Sequence, residues 1–94
     1  MAEVTLRVRI RGQVQGVFFR QSTLDQARRL GVRGWVANRS DGSVEALVAG
    51  PADAVQRLVD WAHRGPEPAT VDSVETTEDP EAEVPAGFEV RSVA

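Results

Sequence analysis

Two short stretches of this 94-residue chain bring together residue types suited to handling a phosphate. The first is GQVQGVFFR, Gly12 to Arg20, which lies between a strand-like run and the start of a helix-like one. Glycines at such a junction let several unpaired backbone N–H groups turn into one concavity at the positive end of a helix dipole, which is a cradle for an anion. Arg20 adds a permanently charged planar fork matched to phosphate oxygens. The plainer alternative is that Gly12 and Gly16 only make turns and Arg20 is a solvated helix residue. The second stretch centres on Asn38, whose amide offers an acceptor and two donors at a strand end, enough to hold a water while accepting one of its protons. An asparagine at a strand end serves equally well as an Asx-type turn residue that closes a hairpin.

Composition removes most other hydrolytic chemistry. Without cysteine there is no disulfide framework, thiol nucleophile or Cys-based zinc site. The single histidine, His63, cannot form the imidazole cluster of a catalytic zinc site, and its place near a probable helix end suits the helix dipole better than a Ser-His-Asp triad. All eleven cationic side chains are arginine, so a Schiff-base lysine and a Walker-type phosphate lysine are both excluded. Any phosphate must therefore meet arginine or backbone amides. The net charge of −3 and pI near 5.1 argue against general nucleic-acid affinity. The N-terminal MAEVTLRVRIRG lacks the continuous apolar stretch of a signal peptide, and no run reaches membrane-spanning length, so the cytoplasm is the expected compartment.

The elements that must position these residues follow from periodicity. Val4, Leu6, Val8 and Ile10 alternate with Thr5, Arg7, Arg9 and Arg11, which predicts a strand over 4–11 with the arginines on its exposed face. A loop over Gly12 to Val17 leads into a helix marked by Phe19, Thr23, Ala27 and Leu30, stopping at Gly31 after Arg28 and Arg29. Val32 to Ala37 and Ser43 to Ala49 are apolar runs joined by Asn38-Arg39-Ser40-Asp41-Gly42, which reads as a hairpin. Pro51 suits the first position of a second helix with the stripe Val55, Leu58, Val59 and Ala62, ended by Gly65-Pro66. Strand-like runs follow at Thr70 to Thr77 and at Phe88 to Arg91, with the acidic stretch Glu75 to Glu83 expected as a solvated loop. Trp35 and Phe88 are expected in or beside the core, with Phe18 and Phe19 divided between loop packing and helix anchoring. The order is βαββαβ, and the predicted fold class is α+β: a ferredoxin-like two-layer sandwich with an antiparallel sheet and two helices on one face, one domain over residues 1–94.

GQVQGVFFR resembles the acylphosphatase signature G-x-V-Q-G-V-x-F-R. GWVANRSDGSVE, Gly34 to Glu45, is similar to that family's second signature, G-W-V-x-N followed by a turn and D-G-x-V-E. The likeness runs from about Val4 to Arg91, departing where the chain ends Ser92-Val93-Ala94 in place of the aromatic ending of many members. The resemblance implies hydrolysis of carboxyl-phosphate anhydrides to carboxylate and inorganic phosphate. It implies catalytic roles for Arg20 and Asn38, with the phosphoryl group held by Arg20 and the amides of Gln15, Gly16, Val17, Phe18, Phe19 and Arg20 and the attacking water positioned by Asn38. A carboxylate leaves without protonation, so no general base, metal or cofactor is expected. The expected partners are a small acyl phosphate, with inorganic phosphate as product and inhibitor, and no nucleic acid or membrane; a monomer is the default. The rival is a non-catalytic ferredoxin-like module that senses an anion, which would keep Arg20 and the cradle without requiring Asn38.

Overall fold

A computed structural model describes residues 2–93, so Ala94, the last residue of the non-aromatic ending, lies outside the described residues. Seven elements follow in order: β1 (Glu3–Gln13), α1 (Phe19–Leu30), β2 (Arg33–Asn38), β3 (Val44–Pro51), α2 (Ala52–Ala62), β4 (Thr70–Glu78) and β5 (Phe88–Val93). They form one five-stranded sheet in the order β4-β1-β3-β2-β5, with α1 and α2 packed on the same face. This is the expected α+β ferredoxin-like sandwich, extended by one edge strand.

Alternation builds the buried face. Val8 and Ile10 from β1, Val36 from β2 and Val44, Ala46 and Val48 from β3 point toward the helices, which return Phe19, Leu24 and Ala27 from α1 and Val55, Leu58 and Val59 from α2. Phe19 anchors the entry of α1: it is buried and its ring lies 5.5 Å from that of Trp61 on α2. Truncating a buried phenylalanine costs about 3–5 kcal/mol, so this contact fixes where the helix begins. The helix stops at Gly31, whose left-handed backbone (φ 72°) lets the Val32 N–H donate to Ala27 O at 2.9 Å.

Several boundaries differ from the periodicity. β1 runs on through Gly12 and Gln13, which were expected in the loop, because a bulge between Arg11 and Gly12 lets both residues pair with Val71 and Thr70. Only glycine fits there: at φ 135° a Cβ would lie 2.1 Å from Thr70 O. β3 extends through Gly50 to Pro51, so α2 starts one residue later than Pro51 suggested. The sheet is antiparallel except at one edge, where β5 pairs parallel with β2 from Gly34↔Phe88 to Asn38↔Val93. That correction has a connectivity cause. β4 lies at the far edge beside β1, so the chain must cross the open face to reach β2 and arrives running in the same direction as β2.

The crossing segment also corrects the reading of Glu75 to Glu83 as a solvated loop. Residues 75–78 belong to β4, and from the following turn Ala82 and Val84 pack on a small open-face cluster of Trp35, Ala37 and Leu47. The row of arginines on β1 lies on this face as expected, but it is paired. Glu45, almost fully buried, accepts from Arg7 at 3.1 Å and from Arg39 at 2.8 Å, and Arg11 pairs with Glu75. The Arg91 guanidinium stacks 4.9 Å from the Trp35 ring. With Arg9 at 3.9 Å as a third partner, this buried carboxylate is answered by three guanidiniums and is retained at little net cost, whereas stripping it of its partners would leave a charge desolvated alone.

Candidate active site

One end of the sheet collects the residues singled out by their chemistry. β1, β2 and β5 all finish there, β3 begins there, and α1 starts immediately after the loop that leaves β1. The loop turns through Gly16 (φ 74°) and Phe18 (φ 65°), and Phe18 is the one non-glycine with a left-handed backbone among the described residues. The consequence is a run of unpaired donors. The N–H groups of Gln15, Gly16, Val17 and Phe18 find no acceptor among the described residues, and those of Phe19 and Arg20 open the first turn of α1, where no intrahelical acceptor exists. The first turn contains no acidic residue and its cap, Phe18, has no side-chain acceptor, so the positive end of the helix dipole is uncompensated.

Arg20, the second residue of α1, reaches across to β5. Its Nη1 donates to the backbone carbonyls of Arg91 at 2.9 Å and Ser92 at 3.3 Å. These neutral oxygens hold one nitrogen of the guanidinium and leave Nε and Nη2 without a partner among the described residues, where no carboxylate lies within ion-pair distance of the group. The fork is thus oriented without its charge being cancelled. A cavity of about 310 Å³ lies beside it, lined by Val14, Gly16, Phe18, Phe19, Arg20, Gln21, Asn38 and Val90. Arg20 and Asn38, 18 residues apart in sequence and on different elements, therefore face the same space.

Asn38 reaches this cavity by register. It follows Gly34 and Val36 on the helix side of β2, pairs with Val44 of β3, and lies where the β2–β5 ladder shifts register between Ala37 and Asn38. Its side chain makes no hydrogen bond among the described residues, which bears directly on its two alternative roles. The Asx-type turn of this hairpin is made by Asp41, whose Oδ1 accepts from the Ser43 N–H at 2.9 Å and the Ser43 hydroxyl at 2.6 Å. Those two bonds, the side-chain one first, hold the Asp41 carboxyl below the usual aspartate range. The turn is closed without Asn38.

One residue carries a function that the sequence reading did not assign to it. Gln15 was singled out for its backbone amide, yet its side chain bridges the two stretches: Nε2 donates to Arg39 O at 2.7 Å and to Ser43 O at 2.9 Å. Together with the Arg39–Glu45 pair, this ties the hairpin that carries Asn38 to the loop that carries the amides. The signal lay in the fixed Gln of the first stretch, but its partners are backbone carbonyls, which no residue pattern reveals. His63 stays apart from the site, its ring nitrogen 3.0 Å from Val59 O at the end of α2. Among the described residues no three or more His, Asp or Glu side chains are grouped as a metal site would need.

A ferredoxin-like sandwich with an open N–H loop and an oriented arginine at one sheet end defines a class of small α+β proteins built to engage a phosphate. Known proteins make the assignment specific. The Acylphosphatase family model matches residues 6–90. An acylphosphatase from Acidovorax sp. (strain JS42) is 56% identical over 90 residues, covering 96% of this chain and 92% of its own, and one from Rubrobacter xylanophilus is 55% identical over 86 residues, covering 92% and 78%. Among solved structures, an acylphosphatase from Coxiella burnetii superposes with a TM-score of 0.89 at 39% identity, covering 95% of this chain and 93% of that one. The chain belongs to the acylphosphatase family, and its activity is the hydrolysis of acyl phosphates to carboxylate and inorganic phosphate.

Proposed function

We propose that Arg20 and Asn38 are the catalytic residues of this hydrolysis and that the backbone amides of Gln15, Gly16, Val17, Phe18, Phe19 and Arg20 bind the phosphoryl group. The observation that carries the reading is the meeting of Arg20, Asn38 and the loop around Gly16 at one cavity. The phosphoryl dianion sits in the loop, its equatorial oxygens facing amide donors that need no reorganisation as charge shifts in the transition state. Arg20, held through Nη1 by β5, offers Nε and Nη2 as the charged fork. The Asn38 amide holds a water for in-line attack on phosphorus, opposite the departing carboxylate, through a loose transition state. The P–O bond to the acyl oxygen breaks with its electron pair going to the carboxylate. The water's protons pass to solvent and to the phosphate. A carboxylate is weakly basic and leaves without a proton, which suits a cavity lined by neither carboxylate nor imidazole.

Positioning and charge stabilisation then supply the acceleration, and neither metal nor cofactor enters. One domain spanning residues 1–94 carries the whole activity and acts as a monomer in the cytoplasm, without nucleic-acid or membrane partners. The net charge of −3 supports the first exclusion. Among the described residues no helix is long and apolar enough to cross a membrane. Glu89 and Arg91 on β5 place charge on one sheet edge, which discourages edge-to-edge pairing. No observation favours the anion-sensing alternative. The test is turnover of a synthetic acyl phosphate with and without exhaustive chelation. Equal rates are expected, and a loss restored by Mg²⁺ would overturn the metal-free mechanism.

A further inference from the structure

The phosphoryl-binding groups occupy only part of the cavity and, Asn38 and Gln21 apart, what lines the rest is apolar. Of its four apolar side chains, Val14 and Phe19 are buried in the core and present no surface to a ligand. Phe18 and Val90 do: they are 76% and 41% exposed, and they are two of the three large apolar side chains left exposed among the described residues. Neighbouring phenylalanines thus have opposite fates. Phe19 anchors α1 against Trp61, while the ring of Phe18 stays in solvent at the mouth of the site.

The backbone makes that placement more telling. A bulky L-residue in the left-handed region costs about 1–2 kcal/mol, a cost that glycine would not incur. The exposed ring recovers none of this through burial in the fold. Val90 has a similar history. It pairs with the fully buried Val36 on the helix side of the sheet, but β5 is an edge strand and nothing seals its outer flank. A cavity with a few convergent polar groups at one end and apolar surface at the other orients a ligand that is itself charged at one end and apolar at the other. In an acyl phosphate the acyl group is covalently joined to the phosphoryl group held by the loop, so it must lie at the mouth of the same cavity.

We propose that Phe18 and Val90 form an apolar lip that receives the acyl group, so that the enzyme selects acyl phosphates with a flat or branched apolar body over those with a small acyl group. The inference rests on the assignment of the phosphoryl site to the loop and Arg20. Its test compares kcat/KM for benzoyl phosphate and acetyl phosphate in the wild type, Phe18→Gly and Val90→Ser. Glycine keeps the loop amide and the left-handed backbone while removing the ring. The ratio of the two kcat/KM values is independent of the folded fraction, so a variant that folds poorly still reports. The wild type should favour benzoyl phosphate, and the ratio should fall about tenfold in Phe18→Gly and less in Val90→Ser. A ratio unchanged within twofold in both variants, or a wild type without preference, overturns the lip while leaving the phosphoryl site intact. A wild type that hydrolyses neither substrate overturns both.

Discussion

Replacing Asn38 by alanine separates catalysis from folding more cleanly than any other change in this molecule. The side chain makes no hydrogen bond among the described residues, and the hairpin turn beside it is closed by Asp41 and tied down by Gln15 and the Arg39–Glu45 pair. Its loss should therefore cost within about 0.5 kcal/mol of stability, as for a substitution away from any packed or bonded feature. For a chain of this length that shifts the melting temperature by no more than about 4 °C. Catalysis should respond on another scale. Removing one preorganised group that acts on the way to the transition state costs roughly 10²–10³ in rate, or about 2.7–4 kcal/mol of barrier. Inorganic phosphate, bound by the loop and Arg20, should inhibit with nearly the wild-type constant. The assay measures melting temperature, kcat and phosphate inhibition on one preparation. Asp41→Ala serves as the control because it removes both bonds to Ser43: it should lower the melting temperature more than Asn38→Ala does and retain more of kcat. A folded Asn38→Ala enzyme with kcat near that of the wild type would refute the water-positioning role. A large loss of phosphate affinity would instead assign Asn38 to ground-state binding.

Arg20→Ala should abolish both phosphate inhibition and turnover, and Arg20→Lys should rescue poorly because an ammonium cannot contact the β5 carbonyls and a phosphate as one planar fork; isothermal titration with phosphate and a kcat/KM measurement check both. Gln15→Ala removes the side-chain donor from the carbonyls of Arg39 and Ser43, which keep the turn's own N–H groups of Gly42 and Arg39, so it should cost about 0.5–1.5 kcal/mol by denaturant unfolding and lower kcat more than it raises KM, since the hairpin is no longer locked to the loop. The pH dependence of the turn follows from Asp41, whose folded-state pKa is depressed by its bonds to Ser43. The stability it contributes is present in full above the ordinary aspartate pKa of about 3.9 and lost as pH falls through the lower folded value. Thermal melts of the wild type and Asp41→Asn should accordingly differ by a constant amount near neutrality and converge in acid.

Much of this protein is set by local pattern. Alternation in Val4 to Arg11 specifies which face of β1 is buried, and the 3.6-residue spacing of Phe19, Thr23 and Ala27 with Gly31 after Leu30 specifies α1 and its end, because side-chain period and φ preference are properties of a few adjacent residues. Arg20, Asn38 and the glycine-bearing loop were legible as chemistry for the same reason: a guanidinium, a carboxamide and permissive backbone have their capacities wherever they sit. The tertiary structure decided which of those capacities meet. Asn38 faces Arg20 only because β2 sits beside β3 and β5 with its helix-side residues in that register. Asp41 took the turn that Asn38 could have closed, Gln15 found its acceptors 24 and 28 residues away, and Arg20 was oriented by carbonyls of a strand 71 residues later. The parallel pairing of β5, the strand residues gained at Gly12 and Gln13, and the cover of Ala82 and Val84 over Trp35 belong to the same set. Each depends on which edge a distant segment can reach and which backbone groups are left unpaired there, and a one-dimensional pattern of side chains carries neither quantity.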